Sequence, residues 1–213
     1  MDTLNRSRPR RRWQPMRRIA LILTSLGVTS EMVAILGMVL GILAGFSFMF
    51  TGESGNPMIL WLAGMLCCLI RIACIQLDSL LYHHHHSKPA AEEIFVTELP
   101  ERVSDAVTII GFGFAANSNS WLGLATALAA IFSAYVRSLG VIKGAGKKSA
   151  SSGPMTRVHR LILVSITSAL MITSIPKDHF STPIPQIALW VMLFGCLATI
   201  AIRWLNIQEY SDS

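Results

Sequence analysis

The side chains in this sequence with the spacing to do chemistry lie between Arg71 and Asp105, in RIACIQLDSLLYHHHHSKPAAEEIFVTELPERVSD. The stretch starts inside one apolar run and ends inside the next. Arg71 and Asp78 are seven residues apart and share a face of a helix. Thr97, Glu101 and Asp105 follow at intervals of four, with Glu98 three before Glu101. Carboxylates beside membrane-length apolar segments are costly, so a cluster of them marks a functional site by default. Asp78, Glu98, Glu101 and Asp105, brought together, repel one another unless a cation intervenes. A hard divalent ion such as Mg2+ or Mn2+ takes such oxygen ligands and keeps positions open for a substrate phosphate. The alternative is internal pairing. Arg102 stands four after Glu98 and three before Asp105, and Arg71 is placed to serve Asp78. Spacing alone leaves both open.

Two further groups carry chemistry. Arg137, Lys143, Lys147, Lys148, Arg157 and Arg160 sit in or beside one polar connection, where a substrate phosphate would arrive. Guanidinium suits bidentate phosphate contacts. A cytoplasmic bias of positive charge explains the lysines equally well, but less so Arg137, which ends an apolar run. His83 to His86 is a run of imidazoles. Imidazole binds transition metals, yet consecutive residues cannot all face one site, so an exposed polar loop is the plainer reading. Cys67, Cys68, Cys74 and Cys196 lie in apolar runs without a CxxC pair, which fits buried thiols and gives no zinc site.

The elements that must position these groups are membrane helices. The chain has 213 residues, 52% hydrophobic and only 14% charged, with mean hydropathy +0.52, where a soluble domain carries about 25% charged residues. Six apolar runs of about 20 residues fit an all-α, polytopic membrane protein. The runs are 32–51, 57–81, about 94–116, 121–136, 161–175 and 186–202. Thr29 or Ser30 caps the first, Pro57 opens the second, and TGESGN (51–56) and NSNS (117–120) are turns. Residues 1–18 hold seven arginines and read as a basic, disordered arm. Residues 16–27 read as an amphipathic helix on the membrane surface, ahead of the spans. Residues 19–213 form one membrane domain. The net charge of +6 flanks apolar spans, so anionic lipid headgroups, and not nucleic acid, are the expected partner. Lysine and arginine crowd into the arm and two of the connections, which puts both termini and the acidic cluster on the cytoplasmic side, in a bacterial inner membrane. A transporter is disfavoured, because no inverted repeats with matching broken segments are present.

LDSLLYH (77–83) and EIFVTELPERVSDA (93–106) resemble the two halves of the signature of the CDP-alcohol phosphatidyltransferases, D-x-x-D-G-x-x-A-R and G-x-x-x-D-x-x-x-D. The second half is similar to an N-E-L-P-D-R-x-S-D version found in some bacterial members. LTSLGVTSEMVAILG (23–37), SAYVRSLG (133–140) and GPMTRVHR (153–160) resemble further family stretches, in the family's order. The resemblance implies six helices and phosphatidyl transfer in phospholipid biosynthesis. The phosphatidyl group would pass from CDP-diacylglycerol to an alcohol or phosphorylated polyol, releasing CMP. It also implies two Mg2+ or Mn2+ ions and a homodimer. Carried over by position, Asp78 is the second motif aspartate, and Glu101 stands as the fourth, the base. Ile75 and Thr97 replace the first and third, with Glu98 and Asp105 as substitute ligands. Ser79, His83 and Arg102 fall where the family holds the nucleotide, and Arg137, Arg157 and Arg160 where it holds a substrate phosphate. These departures raise a second expectation, a relative that binds a CDP-lipid or a membrane partner without turnover.

Overall fold

The computed structural model describes residues 29–82, 99–142, 153–174 and 183–211. The arm, the amphipathic stretch 16–27, His83–His86, Thr97, Glu98 and the three loop lysines lie outside them. Among the described residues the chain is all-helical, with six α-helices, one 3-10 turn and no strand. In order they are α1 (Ser30–Met49), the turn Phe50–Gly52, α2 (Pro57–Tyr82), α3 (Leu99–Gly113), α4 (Ser120–Ile142), α5 (Arg157–Ser174) and α6 (Ile184–Ser211).

Local chemistry sets the ends. The Thr29 hydroxyl accepts the Met32 amide at 3.4 Å, the cap expected for α1. In the 117–120 turn Asn117 takes a left-handed conformation (φ 60°) that asparagine tolerates better than most side chains. Asn119 Oδ1 then accepts the Leu122 amide at 3.0 Å and starts α4. Two helices run well past the C-terminal ends expected from the sequence. α4 continues past residue 136 and α6 past 202, because Arg137 and Arg203 do not end their helices. Arg203 stays buried inside α6, donating to the Ser133 carbonyl at 2.6 Å and to its hydroxyl at 3.1 Å. A charge that finds partners on the neighbouring helix need not terminate its own.

Among the described residues, four segments are long and apolar enough to cross a membrane: Glu31–Gly52, Pro57–Asp78, Ser120–Gly140 and Ile184–Gln208. Their outward faces are apolar, with Leu36, Leu43 and Phe46 on α1, Ile59 and Leu66 on α2, and Trp190 and Phe194 on α6 all exposed. α3 and α5 do not reach that standard. The described part of α3 has 15 residues, about 22 Å of helix against a hydrocarbon thickness of roughly 30 Å, and the chain ahead of Leu99 lies outside the described residues. α5 buries Ser165, Thr167 and Ser168, and each hydroxyl donates to its own i−4 carbonyl at 2.8–2.9 Å. That satisfies a polar atom without a second helix.

α1 packs closely on both α2 and α3, whereas α4 pairs with α6, α2 with α5, and α3 with α4. α2 and α3 are consecutive among the described helices. They are not among the closely packed pairs, and the chain joins them instead through side chains. α1 and α3 approach until a Cβ on Gly111 would collide with the Gly45 backbone, which requires glycine on that seam. α3 and α4 cross at Gly113 and Gly123, where a Cβ on Gly113 would stand 2.6 Å from the Gly123 Cα. Near the α1–α2 turn Phe48, Trp61 and Phe112 form a buried aromatic cluster, with centroids 5.4–6.0 Å apart.

Candidate functional site

Asp105 is the centre of the site. It is 6% exposed, between Arg71 on α2 (2%) and Arg160 on α5 (5%). Arg71 Nη2 donates to Asp105 Oδ1 at 2.7 Å, and Arg160 Nη2 donates to Oδ2 at 2.6 Å. Each carboxylate oxygen therefore carries a charge-assisted bond from a different helix. Arg71 also donates to the Glu101 carbonyl at 3.3 Å and to the Thr108 hydroxyl at 3.4 Å. The Thr108 hydroxyl lies 2.8 Å from the Ser104 carbonyl and 3.0 Å from the Gly41 carbonyl, and the Ser104 hydroxyl donates to the Gly37 carbonyl at 3.2 Å. Four helices thus meet in one polar network, and α2 and α3 are linked through it without close backbone packing.

Arg157 opens α5 and pairs with the Glu101 carboxylate. Its Nε lies 3.6 Å from Asp105 Oδ2, in ion-pair range but beyond the hydrogen bonds that Asp105 already receives. The turn ahead of α5 is fixed from both sides. Met155 N donates to Thr199 Oγ1 at 3.0 Å, and His159 Nδ1 lies 2.9 Å from the Pro154 carbonyl.

Two cavities adjoin this network. The larger, about 220 Å³, is lined by five arginines (Arg102, Arg137, Arg157, Arg160 and Arg203), by Ser133 and Thr156, and, among the described residues, by no acidic one. A basic pocket of this kind, with hydroxyls among the guanidiniums, is suited to a phosphate group. The smaller, about 20 Å³, is lined by Asp78, Glu101, Arg71 and Cys74, among others. That is room for one ion or water. Ile75 forms part of the wall of both.

The sequence-derived candidates are placed as follows. Arg137, Arg157, Arg160 and Arg102 come together on the larger cavity, and Asp78 and Glu101 share the smaller one. Ser79 lies in the last turn of α2, and His83 and Glu98 lie outside the described residues. Asp105 is where the metal-ligand expectation changes. Both its oxygens accept from guanidiniums, so the pairing alternative holds for it, with Arg71 and Arg160 as partners. Among the described residues no three His, Cys, Asp or Glu are grouped to hold a metal ion. Asp78 and Glu101 could hold one divalent ion, because Mg2+ is commonly bound through one or two carboxylates together with phosphate oxygens. A second ion finds no such pair among the described residues. Sequence reasoning missed Arg203, although an arginine at the end of an apolar run was itself a signal.

No family model and no curated protein matches the chain. Among solved structures it is similar to the phosphatidylinositol phosphate synthase of Mycobacterium tuberculosis. In complex with manganese and citrate, that enzyme superposes with a TM-score of 0.66 at 16% identity, over 91% of this chain and 88% of the other. With CDP-DAG bound, the TM-score is 0.68 at 16% identity, over 91% and 94%. At that identity the likeness is one of fold: this chain has the helix arrangement of a phosphatidylinositol phosphate synthase.

Proposed function

We propose that the chain is a membrane phosphatidyltransferase of the CDP-alcohol type, with six spans and with both termini and the site on the cytoplasmic side. The observation that carries this is the pair of adjoining cavities, one lined by five arginines and one by Asp78 and Glu101, in a fold whose neighbours hold manganese and CDP-DAG. The substrates are a CDP-linked lipid and an alcohol. The alcohol oxygen bonds to the β-phosphorus, the bond from that phosphorus to CMP breaks, and CMP leaves with the electron pair. The alcohol's proton passes to the Glu101 carboxylate. Arg137, Arg157 and Arg160, with Arg203, hold a phosphate group against the site. Arg102 is the family-position nucleotide contact. A Mg2+ or Mn2+ ion on Asp78 and Glu101 would offset the charge of the diphosphate. Asp105, with both oxygens bound, fixes Arg71 and Arg160.

The test is release of CMP from CDP-diacylglycerol in proteoliposomes, with Mn2+ or Mg2+, across alcohols with and without a phosphate. Turnover that disappears in Asp78→Ala is expected. A well-folded preparation that releases no CMP with any acceptor would overturn the reading. A second reading, binding of a CDP-lipid without turnover, is favoured by Ile75, an aliphatic side chain where a metal ligand stands in the family signature. Saturable CDP binding without CMP release from the lipid would establish it.

A further inference from the structure

We propose that Arg157 couples the two cavities, so that a phosphate group entering the larger one releases Glu101 in the smaller one for its divalent ion. The inference rests on the proposed roles of those cavities. Arg157 lines the phosphate-suited cavity and also forms an ion pair with a carboxylate of the smaller cavity. It is also the arginine that Asp105 can spare. Arg71 and Arg160 hold the two Asp105 oxygens at 2.7 and 2.6 Å, against 3.6 Å for Arg157 Nε. Turning Arg157 toward a ligand therefore leaves both short bonds of Asp105 intact and removes a cation from Glu101.

The scaffold permits that turn. The backbone ahead of Arg157 is pinned through Met155 and Thr199, while its side chain is 14% exposed, more than Arg160's at 7%. A phosphate dianion surrounded by four further arginines competes well with a single carboxylate for this guanidinium, because it carries more charge and accepts the same bidentate contact. With Arg157 on Glu101, a divalent ion must share that carboxylate with a positive charge. With Arg157 on phosphate, it does not. The coupling is reciprocal, so bound metal must also favour phosphate.

Mn2+ binding by the purified protein in detergent tests this, with free Mn2+ read by electron paramagnetic resonance at increasing inorganic phosphate. The wild type is expected to bind Mn2+ about five-fold or more tightly when phosphate is saturating, a typical coupling between two sites. In Arg157→Gln, Mn2+ affinity is expected to be raised already and to stay within about two-fold on adding phosphate, since the coupling group is gone. Arg157→Lys, with a cation but no bidentate fork, should fall between them. An unchanged wild-type Mn2+ affinity, with phosphate binding detected separately, overturns the coupling alone. So does coupling of full size in Arg157→Gln, which would mean that phosphate ligates the ion directly. No Mn2+ binding in any state overturns both the coupling and the single-ion site beneath it. The wild-type comparison stands whether or not the variants fold.

Discussion

Asp105 and its two arginines show how a carboxylate is kept inside an apolar bundle. A buried ion pair is weak evidence for stability in itself, but breaking one by removing a partner leaves an uncompensated charge at a cost of about 3–5 kcal/mol. Asp105→Asn strands Arg71 and Arg160 together and should destabilise the protein by about that amount in denaturant unfolding from detergent. Arg71→Met should cost a similar amount, and the double variant less than the sum, because both remove the same bond. Arg203 has a different role. It is held by Ser133 and lines the larger cavity. Arg203→Ala should weaken inorganic phosphate binding by roughly ten-fold, the loss of about one charge-assisted contact, with a smaller effect on unfolding. Phosphate affinity unchanged in that variant would remove Arg203 from the site.

The helices divide the work between lipid and chemistry. The four long apolar ones present exposed Leu, Ile, Phe and Trp outward and still supply Arg71, Asp78, Arg137 and Arg203 to the interior, where the two shorter ones bring Glu101, Asp105, Arg157 and Arg160. A helix hydrophobic all round can face lipid, whereas one bearing charges must be screened by neighbours. The glycine seam between α1 and α3 sets how near Ser104 and Thr108 come to the α1 carbonyls, and hence where Asp105 sits. Gly111→Val would press a branched side chain onto the Gly45 backbone. Overpacking of this kind costs about 1–3 kcal/mol, and here it should also lower CMP release or CDP binding by displacing α3. Trp61→Phe, in the aromatic cluster by the α1–α2 turn, should leave that binding unchanged. Equal effects of the two on ligand binding would separate the seam from the site.

At the scale of the whole molecule, Arg71, Asp105, Arg160 and Arg203 are buried while the apolar side chains of the long helices are exposed. The orientation proposed from the basic residues is tested by fusing alkaline phosphatase or a fluorescent protein to residue 213 in a bacterial host. A cytoplasmic C-terminus gives fluorescence and an inactive phosphatase, and the opposite pair of results would reverse the placement of the site.

The sequence by itself determined the class of the molecule. Apolar runs of spanning length, turn residues between them and carboxylates at helical spacing are local or periodic signals, and they made the helices, the 117–120 turn, the Thr29 cap and the gathering of Arg137, Arg157 and Arg160 legible. Tertiary structure decided the partners. Asp105 could have been a metal ligand or half of an ion pair, and its distances to Arg71 and Arg160, 34 and 55 residues away along the chain, depend on how α1 packs on α2 and α3 and how α5 packs on α2. Arg203 was hidden for the same reason. A charge near the end of an apolar run reads as a helix end until the neighbour that satisfies it, here Ser133, is known. Helical period fixes which side chains share a face. Only packing fixes what that face meets.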